Sequence, residues 1–173
     1  MATCNLSPQG ACPGWYNISN AGLYVAPQGT TGLTLSSTPY AWQSVKIPSR
    51  AGTGVNAVIG GTTYWWGPPI GTGGTWKPPA LFADSNFAAD WRLDATNGTA
   101  WNLGSAFAYL LNKGGALTIA PSGDPLCLAS QTFLPVATAA PKKKETKWII
   151  IGAVAGGVVL LLLLIWLLMR KKE

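Results

Sequence analysis

Residues 148–169, WIIIGAVAGGVVLLLLLIWLLM, form a run of 22 without a single charge, and this run restricts the chain more than any other feature. As an α-helix rising about 1.5 Å per residue it is about 33 Å long, enough to cross a hydrocarbon core. A helix of that length in a water-soluble fold needs a polar face, and this one has none. Trp148 and Trp166 stand near its ends, where amphipathic rings favour the headgroup region. Lys142, Lys143, Lys144 and Lys147 precede it, and Arg170, Lys171 and Lys172 follow it. The expectation is one transmembrane helix over 148–169, a basic linker over 137–147 whose lysines lie against anionic headgroups, and a short basic tail over 170–173. Gly152, Gly156 and Gly157 include one Gly-x-x-x-Gly spacing, which lets a second helix approach closely.

The anchor also accounts for the charge. The chain has 12 Lys plus Arg, 6 Asp plus Glu and a formal net charge of +6. Residues 1–140 hold five basic side chains (Lys46, Arg50, Lys77, Arg92, Lys113) and four acidic ones (Asp84, Asp90, Asp94, Asp124), a balance of only +1. The rest flanks the apolar run, so a lipid bilayer is the expected partner and a nucleic acid is not. The N-terminal sequence MATCNLSPQGACPGWYN has no basic stretch leading into an apolar one, so no signal peptide is expected. A span so close to the C-terminus is then inserted after synthesis, as in tail-anchored proteins, which leaves residues 1–147 in the cytosol. Three Asn-x-Ser/Thr sequons, at Asn5, Asn17 and Asn97, point the other way, but a chain rich in Ser and Thr acquires such triplets by chance.

Residues 1–136 read as one domain, long enough to bury a real core. This part holds 18 of the 21 glycines and 12 of the 13 prolines, with apolar or alternating runs of only three to six residues. That texture predicts an all-β domain. Self-similarity then orders the strands. Trp15-Tyr16-Asn17-Ile18 matches Ala100-Trp101-Asn102-Leu103, and Leu33-Thr34-Leu35 matches Leu117-Thr118-Ile119. Ile18, Val58 and Leu103 each precede a tyrosine (Tyr24, Tyr64, Tyr109) by six residues. Each unit closes on an aromatic segment, at Trp42, Trp91 and Phe133. The same period favours a strand over a short capped helix for SAFAYLLNK, residues 105–113. Three copies of about 40 residues predict a β-trefoil-like domain, with a β-sandwich as the alternative.

The repeat core resembles ricin-type trefoil domains, in which an I-x-N-x-(G)-x-Y-L element and a closing Gln-x-Trp recur. Gln131-Thr132-Phe133 follows the closing pattern in the third copy, whereas Tyr40 and Ala89 stand where the first two would have Gln. The second copy carries an extra segment over 67–79, GPPIGTGGTWKPP. The resemblance implies a carbohydrate-binding module.

Chemistry is sparse. Without histidine there is no imidazole base and no His-containing zinc site, and three cysteines (Cys4, Cys12, Cys127) cannot complete a four-cysteine one. No catalytic residue, metal or cofactor is therefore expected. Asp90 and Asp94 bracket Arg92 on one strand face and read as a salt-bridged edge rather than an acid/base pair. Tryptophans are the surplus. Tyr64-Trp65-Trp66 must send neighbouring rings to opposite faces, and Trp76 lies in the Gly/Pro-rich insertion, so Trp65, Trp66 and Trp76 are the expected ligand or partner contacts.

The expected function is non-catalytic: a single-span protein that displays a β interaction domain. The layout resembles structural membrane proteins of large double-stranded DNA viruses with an internal lipid layer. That resemblance implies a virion membrane or minor capsid component tethering membrane to a protein shell, with the domain on the capsid-facing side and other structural proteins as partners. The alternative is a membrane-anchored lectin-like module that binds glycan.

Overall fold

In the computed structural model the chain divides into two units, 1–140 and 141–173, and the described residues are 13–48, 50–69, 76–104, 107–121 and 129–142. The expected span over 148–169, its flanking Lys143, Lys144, Lys147, Arg170, Lys171 and Lys172, and the three cysteines lie outside them. Lys142, the remaining flanking lysine, is exposed. Among the described residues no helix is long and apolar enough to cross a membrane.

The first unit is all-β, as its texture predicts. Among the described residues twelve strands follow in chain order: β1 (Gly14–Asn20), β2 (Leu23–Gln28), β3 (Gly32–Ser36), β4 (Ala41–Lys46), β5 (Thr53–Ile59), β6 (Thr62–Trp66), β7 (Leu81–Phe82), β8 (Trp91–Asp94), β9 (Gly98–Asn102), β10 (Phe107–Lys113), β11 (Ala116–Pro121) and β12 (Leu134–Thr138). Single 3₁₀ turns at Ser85–Phe87 and Ala129–Gln131 are the other regular elements. The segment read as either helix or strand is strand β10.

All the ladders are antiparallel. One sheet runs β3-β2-β1-β4-β5-β6-β7 with β12 added on β1, and the other runs β11-β10-β9-β8. Tyr24, Tyr64 and Tyr109 fall on β2, β6 and β10, the second strand of each successive group of four. Tyr16 is paired with Trp42 between β1 and β4, within the first group, and Trp91 with Trp101 between β8 and β9, where the second group meets the third. The first strand pairs with the last, from Trp15↔Thr138 to Ser19↔Leu134. Asn20 reinforces that closure, its Nδ2 donating to the Ser130 and Thr132 carbonyls at 2.9 Å each while its Oδ1 accepts from Asn112 Nδ2 at 3.1 Å. Gly98 must be glycine: its φ is +107°, and an added Cβ would stand 2.8 Å from Thr132 Cβ.

Inward residues of both sheets form one core. At its centre the Trp66 ring meets Trp42 at 5.0 Å and Trp91 at 5.3 Å, both nearly perpendicular, the arrangement that the ring quadrupole favours. Two of these indoles are also anchored, Trp42 Nε1 donating to the Val25 carbonyl at 2.7 Å and Trp91 Nε1 to the Gly67 carbonyl at 3.0 Å. Ser44 is equally buried, yet among the described residues its Oγ has no hydrogen-bond partner.

Trp91→Ala is expected to lower unfolding free energy by about 3–5 kcal/mol, the usual cost of emptying an aromatic site. Ser44→Ala should change it by less than about 1 kcal/mol, because the lost hydroxyl makes no bond. Urea midpoints of the two variants check both.

A preorganised cleft among the candidate site residues

Strand alternation sends Trp65 and Trp66 to opposite sides of β6, as expected, but both rings are buried. Trp66 is fully inside the main core, and Trp65 is covered on the other face by Ile47, Ala88 and Val45. Neither indole is free to make the ligand or partner contact expected of it, and that expectation is corrected here. Ile47 and Ala88 come from the β4–β5 and β7–β8 connections and Val45 from β4, all distant from β6 in sequence. Trp76 is half-buried, bridges to Ile119, packs on the core and meets the edge of Trp101 at 5.1 Å. It pins its own segment.

The ring that does project is Phe87, 57% exposed and stacked on Phe82 at 5.2 Å. It ends the 3₁₀ turn that Asp84 caps, Oδ1 accepting from Asn86 N at 2.8 Å. Sequence reasoning missed it, although Asp-Ser-Asn-Phe carries a readable signal, a polar capped turn holding one apolar residue.

Phe87 borders an open cleft of about 360 Å³, lined also by Arg50, Pro68, Asn86, Asp90 and Trp101. Hydrogen bonds fix its two charged groups. The Arg50 guanidinium donates to the Asn86 carbonyl and, at 3.4 Å, to the Ala88 carbonyl. Asp90 Oδ1 accepts from Thr53 N at 2.9 Å and Oδ2 from Asn102 Nδ2 at 2.6 Å. Gly52 lies beside this carboxylate at φ +143°, where a Cβ would come within 3.0 Å of Asp90 Cγ. The cleft thus offers one exposed ring, a second aromatic wall and two opposite charges held in place, which suits binding by stacking and hydrogen bonding.

The remaining members of the Asp90–Arg92–Asp94 group also have defined partners. The Arg92 guanidinium lies 5.0 Å from the centre of the Phe107 ring. Asp94 closes its own turn, accepting from Thr96 N, Asn97 N and Asn97 Nδ2 at 2.8–3.0 Å. Burial pushes the Asp94 carboxyl up, but the bonds from Asn97 and Thr96 outweigh it and hold its pKa below the ordinary aspartate value. The three described aspartates are all engaged in shaping backbone turns or connections. Among the described residues no group of three His, Cys, Asp or Glu stands close enough to hold a metal ion.

A depressed carboxyl pKa contributes stability that is present above the unfolded-state value of about 3.9 and lost as pH falls through the folded value. Asp94→Asn should therefore melt at a lower temperature than the parent at pH 7, and the gap should shrink by pH 3. Thermal denaturation at the two pH values checks it. The chain matches no protein-family model, no curated protein and no solved structure.

Proposed function

We propose that the chain is a non-catalytic, membrane-anchored interaction protein whose β domain tethers a membrane to a protein shell, as a virion membrane or minor capsid component does. The observation that carries this reading is the engagement of Asp84, Asp90 and Asp94 in backbone hydrogen bonds, in a chain with no histidine. A domain built that way acts by presenting a fixed surface. The 22-residue uncharged run supports an anchor at 148–169.

For the domain itself we infer a β-trefoil. The inference is supported by three successive groups of four strands and by the ladders β4–β5, β8–β9 and β12–β1, which join the last strand of each group to the first of the next. A lectin-like function is the second reading, favoured by the cleft, where an exposed ring stands beside fixed hydrogen-bonding groups.

Full-length protein in detergent, applied to a glycan array and to lysate of the producing cells or particles, separates the two. Retention of a shell protein without glycan binding supports the tether. Glycan binding that Phe87→Ala abolishes, without shell retention, replaces it with the lectin. Topology has its own readout: protease outside sealed vesicles should digest the domain, and glycan on Asn97, exposed in the β8–β9 turn, would overturn a cytosolic placement.

A further inference from the structure

Six of the seven described tryptophans pack in or against the two apolar clusters; Trp15 belongs to neither. Its place on β1 explains why. Tyr16 and Ile18 turn inward, so Trp15, Asn17 and Ser19 turn outward. They are paired directly with Thr138, Val136 and Leu134, the outward row of β12. On the other side Ala41 and Gln43 of β4 stand opposite Asn17 and Trp15. This three-strand face has no charged residue, and on it Val136 is 56% exposed and Leu134 39%.

Folding does not require an aromatic there. The matching position of the third repeat is Ala100, which is 3% exposed. A half-buried tryptophan beside exposed aliphatic side chains, with charge excluded, has the composition of an interface centre. The face is small, about 10 Å across three strands and about 17 Å along five residues. That is well short of the roughly 800 Å² per partner of a stable complex, so the face needs help from a second contact. The Gly152-x-x-x-Gly156 spacing in the expected anchor is such a contact, and it is specific to a second helix. Two weak contacts on one chain reinforce each other, because the first raises the effective concentration for the second. An uncharged face also meets its own copy without repulsion.

We propose that the outward face of β12, β1 and β4 is a homotypic interface, occupied by the same face of a second copy of this chain, with Trp15 near the two-fold axis. An isologous contact of this kind brings each residue near the axis close to its own counterpart. The proposal goes beyond the tether and rests on that reading only for the anchor.

The test uses the full chain in liposomes, with Cys4, Cys12 and Cys127 replaced by Ser and one cysteine introduced by Val136→Cys. Val58→Cys is the control, since Val58 is 55% exposed but lies on the β5–β6 hairpin. A short bismaleimide cross-linker should give covalent dimer at position 136 and not at 58. Adding Trp15→Ala, or separately Gly156→Leu, should cut the dimer yield about ten-fold. Equal yields at 136 and 58, no link at 136, or yields indifferent to Trp15→Ala would overturn the proposal. Extraction of the same liposomes with alkali separates the failures: a released chain refutes the anchor and the proposal together, whereas a retained chain without the link refutes the interface alone.

Discussion

The Trp66 indole, held edge-on between Trp42 and Trp91, is the contact on which the domain depends. Trp42 comes from the close of the first repeat and Trp91 from the close of the second, so a ring from β6 joins the two. Phe133, fully buried, brings the third into the same core. With so many short strands and a strand β7 of two residues, no repeat buries enough apolar area alone. Cohesion comes from aromatic volume at the centre rather than from the length of any ladder.

The strand positions of the three tyrosines were legible because their signal is local. Tyrosine follows an aliphatic residue by six positions in each copy, and an aromatic closes each, so spacing along the chain reports position in the fold. The fate of the outward rings was not legible. Trp65 looked exposed because alternation specifies a face and says nothing of what covers it. Ile47 and Ala88 do so from connections whose paths depend on Gly52 and on the Asp84-capped turn. For Trp15 the difficulty is the converse: an aromatic beside another aromatic, Tyr16, gives no local sign of which one turns inward. The register with β4 decides it, and register is a long-range property.

Charge distribution divides the labour of the chain. Basic residues gather around the apolar run, while the described aspartates hold turns or connections. Arg50 belongs to that scaffold as well, joining the β4–β5 connection to the carbonyls of Asn86 and Ala88. What is left for contact is shape: an exposed phenylalanine at a cleft and an uncharged strand face.

The pairing of β1 with β12 also has a mechanical side. Trp15 lies opposite Thr138, so the described strands begin and end at one corner, and a pull on the chain that follows Thr138 enters there. Antiparallel ladder bonds run across the strands. Force applied between the two ends at that corner therefore loads them one pair at a time, as a zipper. Force between the linker and the body of the domain runs along β12 and loads the whole ladder together. A partner that gripped the N-terminal segment would peel the domain open at low load. One that gripped the body of the sheets would hold against a much larger pull.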